Sequence, residues 1–205
     1  DDIEKIILKL YPMVDMNDTL QNIHSYTMLL DENYYNPYTE WISVGWALHH
    51  THYAMFFTWL LFSAKSDKFD FDDIPQRLED WNNFSDEGYS YKSIEYWARM
   101  CNSAEYDKIK QASVSEFMEK TVEDPKNYGL DNDIAVLMHK LFGNSFVCTS
   151  HVKNNWYTFK NHKWQERGAE VDLGRTLSKK LHVMYIDIFR DMIYNAEAIP
   201  EEYNQ

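Results

Sequence analysis

Cysteine, glycine and proline are all scarce in this 205-residue chain, and each shortage excludes something. The two cysteines, Cys101 and Cys148, stand far apart and form no CxxC pair. A zinc ribbon is thereby excluded, and a reducing compartment is the simplest setting. Six glycines and five prolines leave few tight turns and favour helices. No G-x-x-x-x-G-K-[ST] string occurs, so no loop cradles nucleotide phosphates in the usual way. No G-x-S-x-G string offers an activated serine. No apolar run approaches the ~18 residues that a membrane helix needs, and no basic-then-apolar leader opens the chain. The expectation is a soluble intracellular protein that is neither secreted nor bound to a membrane. The opening DDIEKIILKL has no initiator methionine, as in a segment of something longer. Positive charge is short as well: 20 Lys and Arg face 33 Asp and Glu, for a net −13. So acidic a body is a poor general binder of nucleic acid, because phosphate attraction dominates sequence-independent affinity.

What is plentiful is apolar and aromatic surface, 44% and 16% of residues, enough for a packed core in one large or two small domains. Two short runs, IEKIILKL and TLQNIHSYTMLL, read as helices within residues 1–30. After the acidic turn DENYYNP, apolar residues recur at three- and four-residue spacing: Trp41, Val44, Leu48, then Met55, Phe56, Trp59 and Leu60. The polar HHTH at 49–52 divides this run into a helical hairpin. Residues 63–84 read as a loop. Ser90 precedes a helix whose stripe is Ile94, Trp97, Ala98 and Cys101. Ser103 is the expected cap of the next helix. Ser113-Val-Ser-Glu116 has capping-box spacing and predicts a fresh start there, with a helix to about Thr121. Pro125 and Gly129 mark a boundary in VEDPKNYGL. Beyond it come a helix from Asp131 or Asn132 to Gly143, three short strands (FVCTS, NWYTF, KWQER) and a long amphipathic helix over about 173–194. The fold class is mainly α: a helical bundle, then a small α+β unit with a three-stranded antiparallel meander and a long C-terminal helix. The expected divisions are 1–30, 31–121 and 122–205.

Charge changes sign around the meander. Between Lys153 and Lys180 seven cations stand against three acids, net +4, so the rest of the chain carries −17. Trp156, Tyr157, Phe159 and Trp164 supply aromatic faces beside Lys160, His162 and Lys163. Aromatics among cations stack bases and hold phosphates, and a basic island on an acidic body confines a strand to one face. The candidate contacts are Lys153, Trp156, Tyr157, Lys160, Lys163, Arg167, Lys179 and Lys180. The plain alternative is a sheet whose aromatics are core and whose lysines only solubilise it. Strand alternation puts Trp156 and Thr158 on one face and Tyr157 and Phe159 on the other; which face packs is open.

Three strings carry a resemblance. YTEWISVGWALHH, FFTWLLFSAKSDKF and SYKSIEYWAR have the spacing W-x-x-V-G-x-A-L, W-x-x-F-S-x-x-S-x-K-F and S-I-x-x-W-A. That pattern is similar to the primase C-terminal domain of the second type. DIAVLMHKLFGNSFVCTSHVKNNWYTFKNHKWQE, with the later TLSKKL, resembles the region before the ring helicase in primase–helicases of poxviruses and other large cytoplasmic DNA viruses. Together these span about 34–182. The resemblance implies a central connector between a primase and a hexameric superfamily-three ATPase, acting where such viruses replicate, in the host cytoplasm. It also implies ATP and Mg as cofactors of the parent protein's motor, none for this region, and partners in DNA, the neighbouring primase and helicase domains, and like subunits.

No catalytic or metal site is assigned. His49, His50 and His52 fall about 100° apart per residue on a helix, so no two share a face at i, i+4. Asp70-Phe71-Asp72 and Asp131-Asn132-Asp133 have the spacing of paired metal-binding carboxylates but read as solvated turn acids. Trp41, Trp59, Trp81 and Trp97 read as core. The resulting expectation is a non-catalytic connector that supports priming and positions template; the alternative is an oligomerisation and docking element that makes no contact with nucleic acid.

Overall fold

The computed structural model describes residues 18–85, 88–123, 131–143, 145–150, 152–166 and 168–197, which form two compact units divided between Ser113 and Val114. The predicted IEKIILKL helix, the 125–129 boundary and Arg167 lie outside the described residues. Among the described residues the chain is mainly helical, with one three-stranded antiparallel sheet and a long last helix, as expected. No described helix is long and apolar enough to cross a membrane. The division at Ser113/Val114 falls inside a helix, eight residues before the boundary read from the sequence.

The first unit is helical: α1 (Asp18–Met28), α2 (Glu32–Tyr35), α3 (Tyr38–Thr51), α4 (Phe56–Ser63), α5 (Ile74–Asn82), α6 (Tyr91–Cys101) and the start of α7 (Ser103–Glu123). The HHTH cluster does break the hairpin. His52 leaves the helix with φ −170° and ψ 143°, and its Nδ1 accepts the Ala54 N–H at 3.2 Å to start the next turn. The three histidines then diverge: the His49 ring meets the Trp81 ring edge-on at 5.0 Å, and His50 Nδ1 lies 2.9 Å from the Tyr89 carbonyl oxygen.

Aromatic packing dominates this core. Trp59 is fully buried against Trp41 (4.8 Å between centroids), Trp81 (5.7 Å) and Phe84 (5.3 Å). Its indole also lies on the bare backbone of Gly45, where a Cβ would come within 2.9 Å of the ring. Lys65 ties the end of α1 in place, donating to the carbonyls of Met28 (3.0 Å) and Leu30 (2.7 Å). Burial lowers its ammonium pKa, a cost that these two charge-assisted bonds offset.

Three local expectations fail. The 63–84 segment is not a loop, since it holds α5, entered through Asp70, whose carboxylate accepts the Asp72 N–H at 3.1 Å. Ser103 does not cap α7; Asn102 does, accepting the Glu105 N–H at 3.1 Å. The Ser113 capping box does not form, because α7 runs unbroken for 21 residues. Ser113 Oγ instead accepts from Asn22 of α1 at 2.7 Å, and Glu116 pairs with Lys120 at 2.8 Å.

The second unit packs the end of α7 with α8 (Asp131–Phe142) and α9 (Ala169–Glu197). Val114, Met118 and Leu137 form its buried centre, closed by Leu181, Met184, Tyr185 and Ile188. The Tyr185 hydroxyl lies 3.0 Å from Thr121 Oγ1. Between α8 and α9 run β1 (Phe146–Ser150), β2 (Asn155–Lys160) and β3 (Lys163–Gln165), in that spatial order.

Two stability outcomes follow. Gly45→Ala improves helix propensity by about 1 kcal/mol but drives a methyl into Trp59, and overpacking costs about 1–3 kcal/mol. Urea unfolding should show a net loss with an unchanged slope. His24, half-buried with Nδ1 3.0 Å from Thr58 Oγ1, has a pKa lowered by burial from 6.5. The folded unit therefore holds this proton less readily than the unfolded chain, so the stability His24 contributes is whole above pH 6.5 and falls as the pH drops through it. Melting between about pH 7.5 and pH 5 should lose less stability in His24→Gln than in the parent chain.

Candidate nucleic-acid interface

The site is built on one hairpin. Asn161 and His162 both take positive φ (52° and 61°), the pair of left-handed residues that a two-residue type I′ turn needs. The turn sets the register Thr158 to Gln165, Phe159 to Trp164 and Lys160 to Lys163. On the other side Val147 faces Tyr157, and Cys148 faces Trp156.

Within β2 only Thr158 is buried, and β2 packs on α9. Alternation then turns Tyr157 and Phe159 to the opposite, open face. Phe159 and Trp164 meet there at 5.2 Å with 58° between planes, and remain 43% and 47% exposed. Val147 extends the same face beside Tyr157. Neither Phe159 nor Trp164 is among the candidate contacts read from the sequence, because aromatics occupy both faces of β2 and nothing local marks the packed one.

The candidate residues divide by place. Trp156 lies on the α9 side, half-buried, and its indole N–H donates to Asn154 Oδ1 at 2.9 Å. Tyr157 lies on the open face. The charge of the neighbouring Glu166 carboxylate raises its phenol pKa, with lesser help from burial and from a hydrogen bond to the same carboxylate. Lys160 and Lys163 face each other at the turn, both exposed. Lys160 Nζ is 2.5 Å from Asp172 Oδ2 in the first turn of α9. The hydrogen bond from Lys160 holds the Asp172 carboxyl below its usual range, assisted by the charges of Lys160 and Arg175. Lys153 is exposed at the other end of β2, in the β1–β2 turn. Lys179 and Lys180 are exposed on α9, with the Lys180 ammonium 5.7 Å above the Phe142 ring. The cations are therefore spread over hairpin turn, opposite turn and helix. Among the aromatics, Tyr157, Phe159 and Trp164 share the open face.

The first unit has a concavity of its own, about 270 Å³, lined among others by Tyr35, Tyr38, Trp41, Ser66, Lys68 and Arg77. Several of its polar groups are engaged within the unit. Arg77 stacks on Trp41 at 5.0 Å and pairs with Asp80 at 2.9 Å, and Lys68 donates to the Asn36 carbonyl at 3.0 Å. Among the described residues no three His, Cys, Asp or Glu side chains gather as a metal site.

Residues 23–98, from α1 to most of α6, match the family model of primase C terminal 2 (PriCT-2). A protein of Acanthamoeba polyphaga mimivirus named "Putative helicase" is 23% identical over 186 residues, covering 90% of this chain and 18% of that protein. The chain thus spans under a fifth of that relative's length. The chain is similar to a primase C-terminal domain over 23–98 and distantly similar to a viral protein named as a helicase. Several residues of the matched region have a plain structural purpose: Val44, Ala47, Leu48, Trp59, Phe62, Ile94 and Ala98 are core, and Ser93 Oγ accepts the Ser90 N–H at 3.3 Å to open α6.

An open aromatic pair adds little to stability. Phe159→Ser with Trp164→Ser should cost under about 1.5 kcal/mol, whereas Leu137→Ala in the buried centre should cost about 2–5 kcal/mol. Urea denaturation of each distinguishes surface from core.

Proposed function

We propose that the chain is a connector module of a viral DNA-replication primase–helicase, supporting priming through its first unit and holding template strand on the open face of its meander. The observation that carries the strand contact is the exposed Phe159–Trp164 pair beside Tyr157, with Lys163 and Lys160 at the adjoining turn. Each stacked base is worth about 1–3 kcal/mol on such a platform and any base can use it. The lysines add a salt-dependent attraction to phosphate. The match over 23–98 and the similarity to the mimivirus protein support the wider assignment. The mechanism is positional. Tethering strand and primase beside the motor raises their effective concentration without making or breaking bonds. In this reading ATP and Mg serve the parent protein's helicase domain, and the parent acts as a hexamer at cytoplasmic replication sites.

A second reading, oligomerisation and docking, has one observation in its favour. Val183, Ile186, Phe189 and Ile193 recur at three- and four-residue spacing on α9 and are 52%, 40%, 50% and 58% exposed. They lie on the side away from Leu181, Met184 and Ile188.

One titration separates the two. A fluorescent single-stranded oligonucleotide should bind the 205-residue chain at low salt, more weakly as salt rises, and more weakly again in Lys160→Ala with Lys163→Ala. Absence of binding at low salt, with a mass that climbs with protein concentration, rejects strand binding in favour of docking.

A further inference from the structure

Lys160 is not waiting for a phosphate. Its ammonium sits 2.5 Å from Asp172 Oδ2, with 51% and 28% of the two side chains exposed, and Asp172 also lies in the field of Arg175. Lys163 stands directly across the strand pair. Like charges so placed repel, and one purpose of Asp172 is to relieve that repulsion. Its chemistry goes further. A carboxylate and a phosphodiester make the same demand on an ammonium, a charge-assisted hydrogen bond to an anionic oxygen. The carboxylate therefore fills the position that a strand phosphate needs in order to reach Lys160. Because the pair is part-exposed and screened by solvent, its net worth is small, and a polyanion with further contacts can displace it.

We infer that Asp172 is a built-in competitor for the nucleic-acid backbone: it keeps Lys160 occupied until a strand's phosphate displaces it. This rests on the strand-binding reading above and adds regulation at the turn that adjoins the open face. The resting interface then presents Lys163, which has no ion-pair partner among the described residues, at the turn while Lys160 is held in reserve, so casual polyanions are bound weakly and a strand seated on the aromatic pair gains the extra contact.

The test is a salt-series titration of the single-stranded oligonucleotide against the full chain and its variants. Asp172→Asn should bind on the order of threefold tighter or more at low salt, and the slope of log K against log salt should steepen by about 0.7, the increment for one further phosphate of a single strand. Lys160→Gln should weaken binding by the parent chain only modestly, because Asp172 competes there, and should abolish the gain in the Asp172→Asn background. Asp187→Asn removes one negative charge from the same helix, where Asp187 pairs with Arg190 at 3.1 Å, and should leave the slope unchanged. Equal tightening by Asp187→Asn, or a gain that survives Lys160→Gln, overturns the inference and reduces the effect to net charge. Asp172→Ser substitutes for the asparagine should that variant melt early. Failure of the parent chain and every variant to bind at any salt removes the strand-binding reading itself, whereas binding by the parent with no gain in either Asp172 variant removes the competitor alone.

Discussion

Thr158 is the one buried residue of β2, and its seat against α9 decides where the rest of the hairpin points. With that contact made, a strand period of two leaves no freedom. Trp156 and Lys160 go to the helix side, Tyr157 and Phe159 to the open side, and the I′ turn brings Trp164 up beside Phe159. A register slip of one residue would bury the aromatic pair and expose Thr158. The chemistry proposed for this face therefore depends on a small threonine fitting under a helix.

In the first unit the contact between Trp59 and Gly45 is a packing device. Trp59 needs a flat surface, Gly45 supplies it, and Trp41, Trp81 and Phe84 close the remaining sides. Among the described residues the indole N–H of Trp59 meets no acceptor, so this ring is held by shape and apolar area alone. Polar groups of the same unit have a different purpose. Trp41 donates to Ser63 at 2.8 Å, Ser66 donates to the Asn36 side chain at 2.8 Å, and Lys65 holds the end of α1. Motif and fold are thus one object here, and the matched span is explained to a large degree by what it must pack.

Much of the architecture is legible in the sequence. The hairpin broken at His52, the helix ending at Gly143, the meander and the long last helix all rest on strong local signals. What escaped has physical causes. In α5 the apolar residues are only Ile74, Leu78 and Trp81 within an acidic stretch, too sparse a stripe to announce itself. Ser113 carries capping chemistry, but Asn22, 91 residues away, claims its hydroxyl and packing carries the helix through. The candidate site was legible as a neighbourhood and not as a surface. Charge and aromatic density located the hairpin; only tertiary contact revealed that Trp156 lies half-buried on the helix side, that Lys160 has an acidic partner twelve residues on, and that Glu166 reaches Tyr157.

Of the seven tryptophans, Trp164 alone is open to solvent; Trp59 and Trp81 are buried and the other four are half-covered. The molecule therefore carries its own optical label on the hairpin, an indole in water emitting at longer wavelength than its sheltered counterparts. Whatever settles against that ring changes its colour and brightness, so occupancy of the sheet face can be followed by light without attaching a dye.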